Sequence, residues 1–502
     1  MMNNHVESAS GDDAARLESL GYKSEFRRDM SLWANFALGF TYLSPVVGIY
    51  TVFGISLALG GPPMIWALLV AGLGQLLVAL VFGEVVSQFP LAGGVYPWAR
   101  RLYGRKWAWL TGWVYLMALF STIAGVAYGA APYVGSFFGF QTGVISTVTC
   151  ALGVLVLATA INFMGTKVLA QAAIIGFLAE IIGALVVGIY LLVFHKHQDL
   201  SVLFNTFGSE KDGSYLAAFC AASLIGVFQY YGFEACGDVA EEVPNPGKRI
   251  PKSMRRTIYI GGAAATFVCL ALTLSVVDFT EVINGTNADP VSTILTAAFG
   301  PVGAWGVIGV VLISFLSCVM SLQAAASRLV YAYARDKMIF CSGLLSRFSH
   351  EKFVPPYALL LSAVVPAVVV IGSMISTGAL MKIIAFSSVG IYIAFQMVVY
   401  ASLRARFKGW VPSGEYRLGS WGLLVNFGAL AYGLLAILVI GWPRTPDVAW
   451  YDNWIVLLSA GLVIGVGLLY MVVAKPHLRS NAPFGDAASP AQAQPHSARS
   501  IA

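Results

Sequence analysis

The chain of 502 residues is 58% hydrophobic and 11% charged, with a formal net charge of +6. Soluble domains carry about 25% charged residues, so this chain is predicted to be a polytopic membrane protein rather than a soluble one. Its six Cys and six His are scattered, and it has neither a Gly-rich phosphate loop nor a convincing nucleophile setting. We therefore expect no enzyme activity, no metal site and no cofactor.

In chain order, the sequence contains twelve apolar runs of roughly 20 residues, the length that an α-helix needs to cross a bilayer. This pattern predicts an all-α integral membrane protein with twelve transmembrane helices. A cytoplasmic segment over 1–30 precedes them, and a disordered cytoplasmic tail over 476–502 follows. The predicted cores, numbered as spans 1 to 12, are 33–56, 64–86, 107–130, 143–164, 168–193, 216–236, 257–277, 302–326, 357–373, 379–402, 421–441 and 454–474.

The distribution of Lys and Arg between the loops predicts the orientation in the membrane. With the N-terminus inside, nearly every basic residue falls in a cytoplasmic loop or terminus. The basic residues that remain outside are Lys196, Lys211, Lys382 and Arg444. Both termini are therefore predicted to be cytoplasmic. The positive charge indicates topology and contact with an anionic lipid bilayer, not a nucleic-acid partner.

Two of the predicted spans carry helix-breaking residues near their centres. Span 1 contains Ser44-Pro45 followed by Gly48, and span 6 contains Gln229 and Gly232. Interrupted backbone is tolerated at membrane depth only where it lines a cavity or packs on protein. A matched pair of interrupted spans indicates the binding site of a secondary transporter built from two inverted repeats. The predicted division is 31–195 for the first repeat, 215–403 for the second and 420–475 for spans 11 and 12.

Residues at the two breaks are candidates for contact with a solute. Free N–H groups at the start of a half-helix can bind a carboxylate, and Gly48 would allow its close approach. The alternative for Gly48 is an ordinary helix-packing glycine. Phe228, Tyr230 and Tyr231 could cover the solute or pack on its amine by cation–π contact, or they could fill a helix interface.

Ionisable side chains inside the membrane cost about 2.5–3.5 kcal/mol by insertion scales, so each suggests a role. Glu180, among apolar neighbours in span 5, is predicted to carry a coupling proton or to hold a cation, with a structural carboxyl as the alternative. Glu234 is either a proton relay or a clamp on the interrupted helix. Glu84 is either part of an inner gate with Arg residues or an interfacial carboxylate. Ser314 and Ser317, one turn apart in span 8, could offer hydroxyls to an ion or solute, or bond between helices.

Several stretches of the sequence carry a family resemblance. They are PVVGIY over 45–50, PLAGGVY over 90–96, YGFE over 231–234, EEVPNPGKRIP over 241–251 and SRLVYAYARD over 327–336. As a set they resemble the amino acid–polyamine–organocation superfamily, most closely its amino acid/choline and GABA permease branch.

The resemblance implies the leucine-transporter fold and transport of an amino acid or related amine. In such families the break in helix one binds the substrate carboxylate, and the break in helix six supplies carbonyl groups to the amine and an aromatic gate. Many relatives have a small polar residue before the helix-one glycine, where this chain has valine, so only backbone N–H groups remain for the carboxylate. The substrate-binding residues implied here are Val46, Val47, Gly48, Ile49, Phe228, Gln229, Tyr230, Tyr231 and Gly232, with Phe228 as the gate.

The sequence therefore favours a secondary transporter of the inner or plasma membrane that imports an amino acid or small amine with a proton, rather than with Na⁺, by alternating access. An exchanger, or a polyamine or choline importer, is the alternative within this class. A channel would need a repeated pore filter, which the sequence lacks, and a receptor that kept the fold without transporting is the remaining alternative.

Overall fold

The structure, a computed structural model, describes residues 12–141, 143–210, 213–375, 378–444, 448–485 and 487. Within this part of the chain, eleven helices are long and apolar enough to cross a membrane, and a shorter apolar helix, Tyr215–Gln229, lies where span 6 is predicted. The eleven are Leu32–Gly60 (span 1), Pro62–Gln88 (2), Arg105–Phe138 (3), Val144–Phe163 (4), Thr166–Phe194 (5), Pro246–Ser275 (7), Pro290–Arg335 (8), Pro356–Ile375 (9), Ala379–Phe407 (10), Gly419–Gly441 (11) and Ile455–Ala474 (12). The prediction of an all-α membrane protein is confirmed.

Short helices outside the spans lie mostly in the connections. They are residues 12–19, Val95–Leu102, Ala235–Asp238, Phe279–Ile283, Ser342–Leu345, Trp450–Asn453 and Pro476–Arg479. Spans 7 and 8 extend well beyond their predicted cores, because polar and basic turns continue both helices. The predicted cores were shorter since they were drawn from the apolar residues alone. Span 8 also contains a kink at Gly300, whose φ is 63°, just before Pro301.

The spans form a bundle with a buried centre and a lipid-facing rim. The most apolar stretch of span 3 is 83% buried inside the protein, whereas that of span 12 is only 11% buried. Span 12 instead exposes large apolar side chains such as Leu462, Leu469 and Val473, which suits contact with lipid tails. Span 3 is therefore central and span 12 peripheral.

Span 1 runs through the middle of the bundle. Its first half packs against spans 5, 7 and 8, and its second half packs against the two helical pieces of span 6. The interrupted parts of spans 1 and 6 are consequently neighbours deep in the protein.

Both described termini lie at one end of the bundle. The N–H of Gly485 donates to the carbonyl of Arg100 at 2.9 Å, and Pro483 lies beside Gly21. The N–H of Met30 donates to the carbonyl of Glu242 at 3.0 Å, which ties the N-terminal segment to the connection after span 6. The disordered tail was predicted over 476–502, but its first residues form the helix Pro476–Arg479 and Gly485 is bonded to Arg100. Residues 486 and 488–502 lie outside the described part of the chain. The two-repeat division and the cytoplasmic orientation stay predictions.

Candidate functional site

Span 1 is interrupted at Ser44, between the half-helices Leu32–Leu43 and Pro45–Gly60. Ser44 is left-handed, with φ 44° and ψ 89°, which costs a residue with a side chain about 1–2 kcal/mol. Pro45 has no N–H to donate but suits the first position of a helix. The helix restarts there, so Val46–Ile49 form its first turn rather than unwound backbone.

The N–H groups of this first turn are bonded within the protein. Val46 N–H donates to Glu180 Oε2 at 3.0 Å, and the Ser44 hydroxyl donates to Glu180 Oε1. Val47 N–H donates to Ser44 Oγ at 3.2 Å. Gly48 N–H donates to the Ser44 carbonyl at 2.8 Å. A carboxyl group of the protein, that of Glu180, thus occupies the anion position that the start of a helix creates.

Glu180 reaches this position from the middle of span 5 and is fully buried. None of the ion pairs between described residues includes it. Gly176, one turn earlier, has no room for a Cβ because Ser317 of span 8 packs against it. A buried charge is costly without partners, so this carboxyl depends on two hydrogen bonds and the helix N-terminus for its stabilisation.

Span 6 is interrupted between Gln229 and Ala235. Gly232 there has a φ of 116°, a conformation that favours glycine, and its N–H donates to Glu234 Oε2 at 2.7 Å. A Cβ at this position would lie 2.6 Å from the backbone nitrogen of Leu43. The two breaks are therefore in direct contact, and the contact needs glycine. The prediction of two broken spans is confirmed.

Gln229 joins the two breaks through its side chain. Its Nε2 donates to the Leu43 carbonyl at 3.0 Å, which is a carbonyl that the interruption of span 1 leaves free. A Cβ at Gly48 would lie 2.8 Å from the Gln229 Cδ. Gln229 is fully buried, and its Oε1 has no hydrogen-bond partner among the described residues. One unused acceptor therefore faces the first turn of the second half-helix.

The aromatic side chains of span 6 pack in two different directions. The rings of Phe228 and Tyr231 meet edge to face with centroids 5.6 Å apart, and Tyr231 also meets Tyr42 of span 1 at 6.4 Å. Tyr230 packs instead against spans 2 and 7, where Gly72 gives its ring room. Phe228 and Tyr231 are thus placed beside the breaks, and the Tyr230 ring is not.

A pair of buried carboxyls, those of Glu234 and Asp238, lies at the end of the break in span 6. The Tyr115 hydroxyl of span 3 is 3.1 Å from Glu234 Oε1 and 3.2 Å from Asp238 Oδ2. Both acids are fully buried, and Asp238 Oδ1 has no partner among the described residues. Neither Asp238 nor Tyr115 was among the predicted site residues. The spacing of four residues that puts Glu234 and Asp238 on one helical face was the available signal.

The two serines of span 8 bond to their own helix. Ser314 Oγ donates to the Val310 carbonyl at 3.2 Å and Ser317 Oγ to the Ser314 carbonyl at 3.0 Å. Ser317 lies against Gly176, near Glu180, so its hydroxyl is close to the break in span 1. Their role toward an ion stays a prediction. Across the described residues, no group of three or more His, Cys, Asp or Glu is arranged to hold a metal.

Comparison with known proteins identifies the family. A sequence model described as amino acid permease matches residues 30–469, which includes both breaks and every predicted site residue. The chain belongs to the amino acid permease family. It is therefore a membrane transporter, not an enzyme.

Relatives of this permease are similar over nearly their whole length. The amino-acid permease BAT1 of Arabidopsis thaliana is 26% identical over 493 residues, covering 92% of this chain and 94% of the relative. Its homolog in Oryza sativa subsp. japonica is 26% identical, covering 95% of each. A putative polyamine transporter of Candida albicans is 24% identical, covering 94% of this chain and 89% of the relative.

In this permease Glu84 forms a buried ion pair at the end of span 2. It pairs with Arg406 from the end of span 10, and its Oε1 accepts a hydrogen bond from the Leu418 N–H at 2.8 Å. The side chain is fully buried, so it does not reach the interface as a lone carboxylate. The structure brings Glu84 to an arginine, as the gate hypothesis requires, and its gating role stays a prediction.

We expect Glu84 and Arg406 to be coupled in stability. Removing either partner alone leaves a buried charge unpaired, so Glu84→Gln and Arg406→Gln should each lower the melting temperature. The double variant should lose less stability than the sum of the two single losses. The difference, which is the coupling free energy, should be about 1–3 kcal/mol. Thermal unfolding of the purified variants measures this. As a control, Lys196→Gln breaks an exposed pair with Asp199 and should barely change the melting temperature. If the losses of the two single variants at the buried pair simply add in the double variant, the coupling is contradicted.

Further ion pairs close the end of the bundle that carries the termini. Arg328 of span 8 binds both carboxylate oxygens of Glu242, at 2.7 and 3.3 Å, and Arg335 binds Glu241 at 2.9 and 3.0 Å. Both residues of each pair lie in stretches that carry the family resemblance. Their pairing could not be deduced because it joins residues about ninety positions apart.

Proposed function

We propose that this permease is a secondary active transporter that moves a small amine-bearing solute, an amino acid or a related amine, by alternating access. The observation that carries the proposal is the direct contact of two interrupted spans at the centre of the bundle, where Gly232 meets Leu43. The proposed lining comprises Val46–Ile49 and Phe228–Gly232, with Phe228 as the gate and with Tyr230 contributing only its backbone, because its ring packs against spans 2 and 7. Motion of spans 1 and 6 against the rest would open this contact first to one side and then to the other.

We propose that a proton is co-transported and that Glu180 carries it. Glu180 belongs to span 5, and its hydrogen bonds hold the start of the second half of span 1. Adding a proton removes the negative charge that the helix N-terminus stabilises, which weakens the contact between the two spans. Protonation would thereby favour relative movement. Glu234, Ser314 and Ser317 are further candidates for proton or ion contacts, and Glu84 for an inner gate.

The proposed location is the cell membrane, an inner or plasma membrane, with both termini in the cytoplasm. The asymmetry of Lys and Arg between the loops supports this orientation. Import is the proposed direction, because an inward proton gradient would drive symport toward the cytoplasm.

A second candidate function is the exchange or import of an amine such as a polyamine. The similarity to a relative named a putative polyamine transporter supports it. So does the occupation of the helix-one anion position by Glu180, since an amine without a carboxylate does not need that position.

Uptake into proteoliposomes tests the proposed function. When the proteoliposome lumen is made alkaline, at least one solute from a pool of radiolabelled amino acids and amines should accumulate above equilibrium with saturable kinetics. A protonophore should collapse that accumulation. Flux that does not saturate would indicate a channel, and binding without any counterflow would indicate a receptor. Either result would overturn the proposal.

A further inference from the structure

Residues 12–30, which precede span 1, lie across the end of the bundle that carries the termini, and we call them the latch. Chain termini are poorly ordered unless contacts tie them down. The ring of Phe26 packs on Tyr331 of span 8 and on Phe348, with ring centroids 5.5 and 4.8 Å apart. Four apolar side chains of the latch are at most 4% exposed: Leu17, Leu20, Phe26 and Met30. The latch is therefore part of the packed protein.

One set of contacts joins the latch to the connection that follows span 6. The N–H of Asn245 donates to Asp13 Oδ2 at 2.7 Å, and the Arg28 guanidinium donates to the Val243 carbonyl at 3.1 Å. The latch also continues directly into span 1. It is therefore fastened to both of the spans that move in the proposed function.

Tyr22 fastens the latch to parts of the bundle other than spans 1 and 6. Its hydroxyl donates to Asp336 Oδ1, at the end of span 8, at 2.8 Å, and accepts a hydrogen bond from Arg100 of the helix Val95–Leu102. Arg100 and Asp336 are themselves an ion pair. The Arg335 guanidinium lies 4.1 Å from the centroid of the Tyr22 ring, which is a cation–π contact. One tyrosine of the latch therefore contacts three charged side chains.

The Arg335 that Tyr22 contacts also belongs to an ion pair between span 8 and the connection after span 6. It binds both carboxylate oxygens of Glu241, at 2.9 and 3.0 Å. Glu241 in turn accepts the N–H of Ala92 at 3.0 Å. This end of the bundle can open only when Arg335 and Glu241 separate, and Tyr22 holds Arg335 in its paired position.

The chain after span 12 covers the latch in turn. Gly21 forms a turn of the latch with a φ of 87°, and a Cβ added there would lie 3.1 Å from Pro483 Cγ. The centroid of the Phe484 ring lies 4.2 Å from the Arg105 guanidinium at the start of span 3. The C-terminal segment 480–485 is thus fixed to span 3 and packs on the turn of the latch.

Resting on the proposed function, we propose that the latch is an autoinhibitory element that holds the permease closed at the end of the bundle that carries the termini. It ties spans 1 and 6 to span 8 and covers the pair of Arg335 and Glu241. Solute crosses this end only after Tyr22 has left Arg335 and Asp336. The contacts of the latch therefore limit how often this end opens, and weakening them speeds transport.

Hydrogen–deuterium exchange of the purified full-length permease tests the closed state without a transported solute. The stretch 89–96 lies beside the pair of Arg335 and Glu241, and its Ala92 and Gly93 N–H groups are bonded to the segment after the break in span 6. In Tyr22→Ala these amides should exchange about tenfold faster or more, because opening of this end exposes them to water. Unchanged exchange in the buried centre of span 3 shows that the variant is folded.

Lys23→Ala is the matched control, since it truncates an exposed neighbour of Tyr22 in the latch. It should exchange like the original protein. Tyr22→Phe keeps the ring on Arg335 but loses the hydroxyl, so it should speed exchange over 89–96 by a smaller factor. It replaces Tyr22→Ala if that variant does not fold. Unchanged exchange over 89–96 in the folded Tyr22 variants overturns the proposal.

Uptake into proteoliposomes separates autoinhibition from a purely structural role of the latch. At saturating solute, Tyr22→Ala should transport about twofold faster or more than the original protein, because conformational steps limit the turnover of many proteins. Faster exchange together with an equal or lower uptake rate overturns the autoinhibitory role. Absence of uptake in both proteins would contradict the proposed function, and the exchange measurement would still decide whether the latch closes this end.

Discussion

Replacing Gly232 with alanine is expected to abolish transport and to lower the melting temperature of the purified permease strongly. The backbone φ of 116° disfavours any side chain, at about 1–3 kcal/mol. The new Cβ would also lie 2.6 Å from Leu43 N, and overpacking of this kind costs about 1–3 kcal/mol more. Together these effects should separate the two breaks. Intrinsic fluorescence during heating and uptake into proteoliposomes measure the two losses.

Gly465→Ala is the matched control for this prediction. Gly465 lies within span 12, where a Cβ added to it would meet no heavy atom within 4 Å. This variant should unfold and transport like the original protein, since alanine also favours the helix. Normal stability and uptake in Gly232→Ala would show that the close contact between the breaks is not needed.

Replacing Glu180 with glutamine is expected to abolish accumulation driven by a pH gradient, with exchange of solute still measurable. The amide keeps the size of the side chain, and its oxygen can still accept the Val46 N–H, but it cannot gain or lose a proton. The solute ratio across the membrane should fall to the equilibrium value. Uptake with and without an imposed pH gradient, beside counterflow at equal pH, separates the two activities.

The control for Glu180 is Glu351→Gln, which removes an exposed carboxyl far from the breaks in sequence. It should keep full proton-driven accumulation. Undiminished proton-coupled accumulation in Glu180→Gln would show that Glu180 does not couple transport to protons. Glu234, the other acid proposed for proton contacts, would then be tested next.

The sequence predicts the broken spans well because the residues that cause the breaks act locally. Proline cannot donate the N–H that continues the helix, and Gly232 allows a φ that other residues avoid. The position of the first break was harder to place. Ser44 caps the second half-helix and Pro45 starts it, so the turn over 46–49 is helical, although the family resemblance implied substrate contacts there.

The partners of the buried acids could not be predicted, because they come from distant parts of the chain. Glu180 is bonded to Ser44 and Val46, more than a hundred residues away. Its position in span 5 indicated a role, but only the packing of spans 1 and 5 showed that it occupies the helix N-terminus. Asp238 was missed for a different reason. It lies beyond the apolar core of span 6, next to the acidic loop, where a carboxylate looks solvated.

The proposed solute site lies between the interrupted parts of spans 1 and 6. The most direct measurement is an experimental structure of the permease with a transported solute bound. We expect solute density between the Ser44–Gly48 turn and the Phe228–Gly232 segment. Density at another place, with Gly232 still packed on Leu43 and Gln229 still covering Gly48, would contradict it.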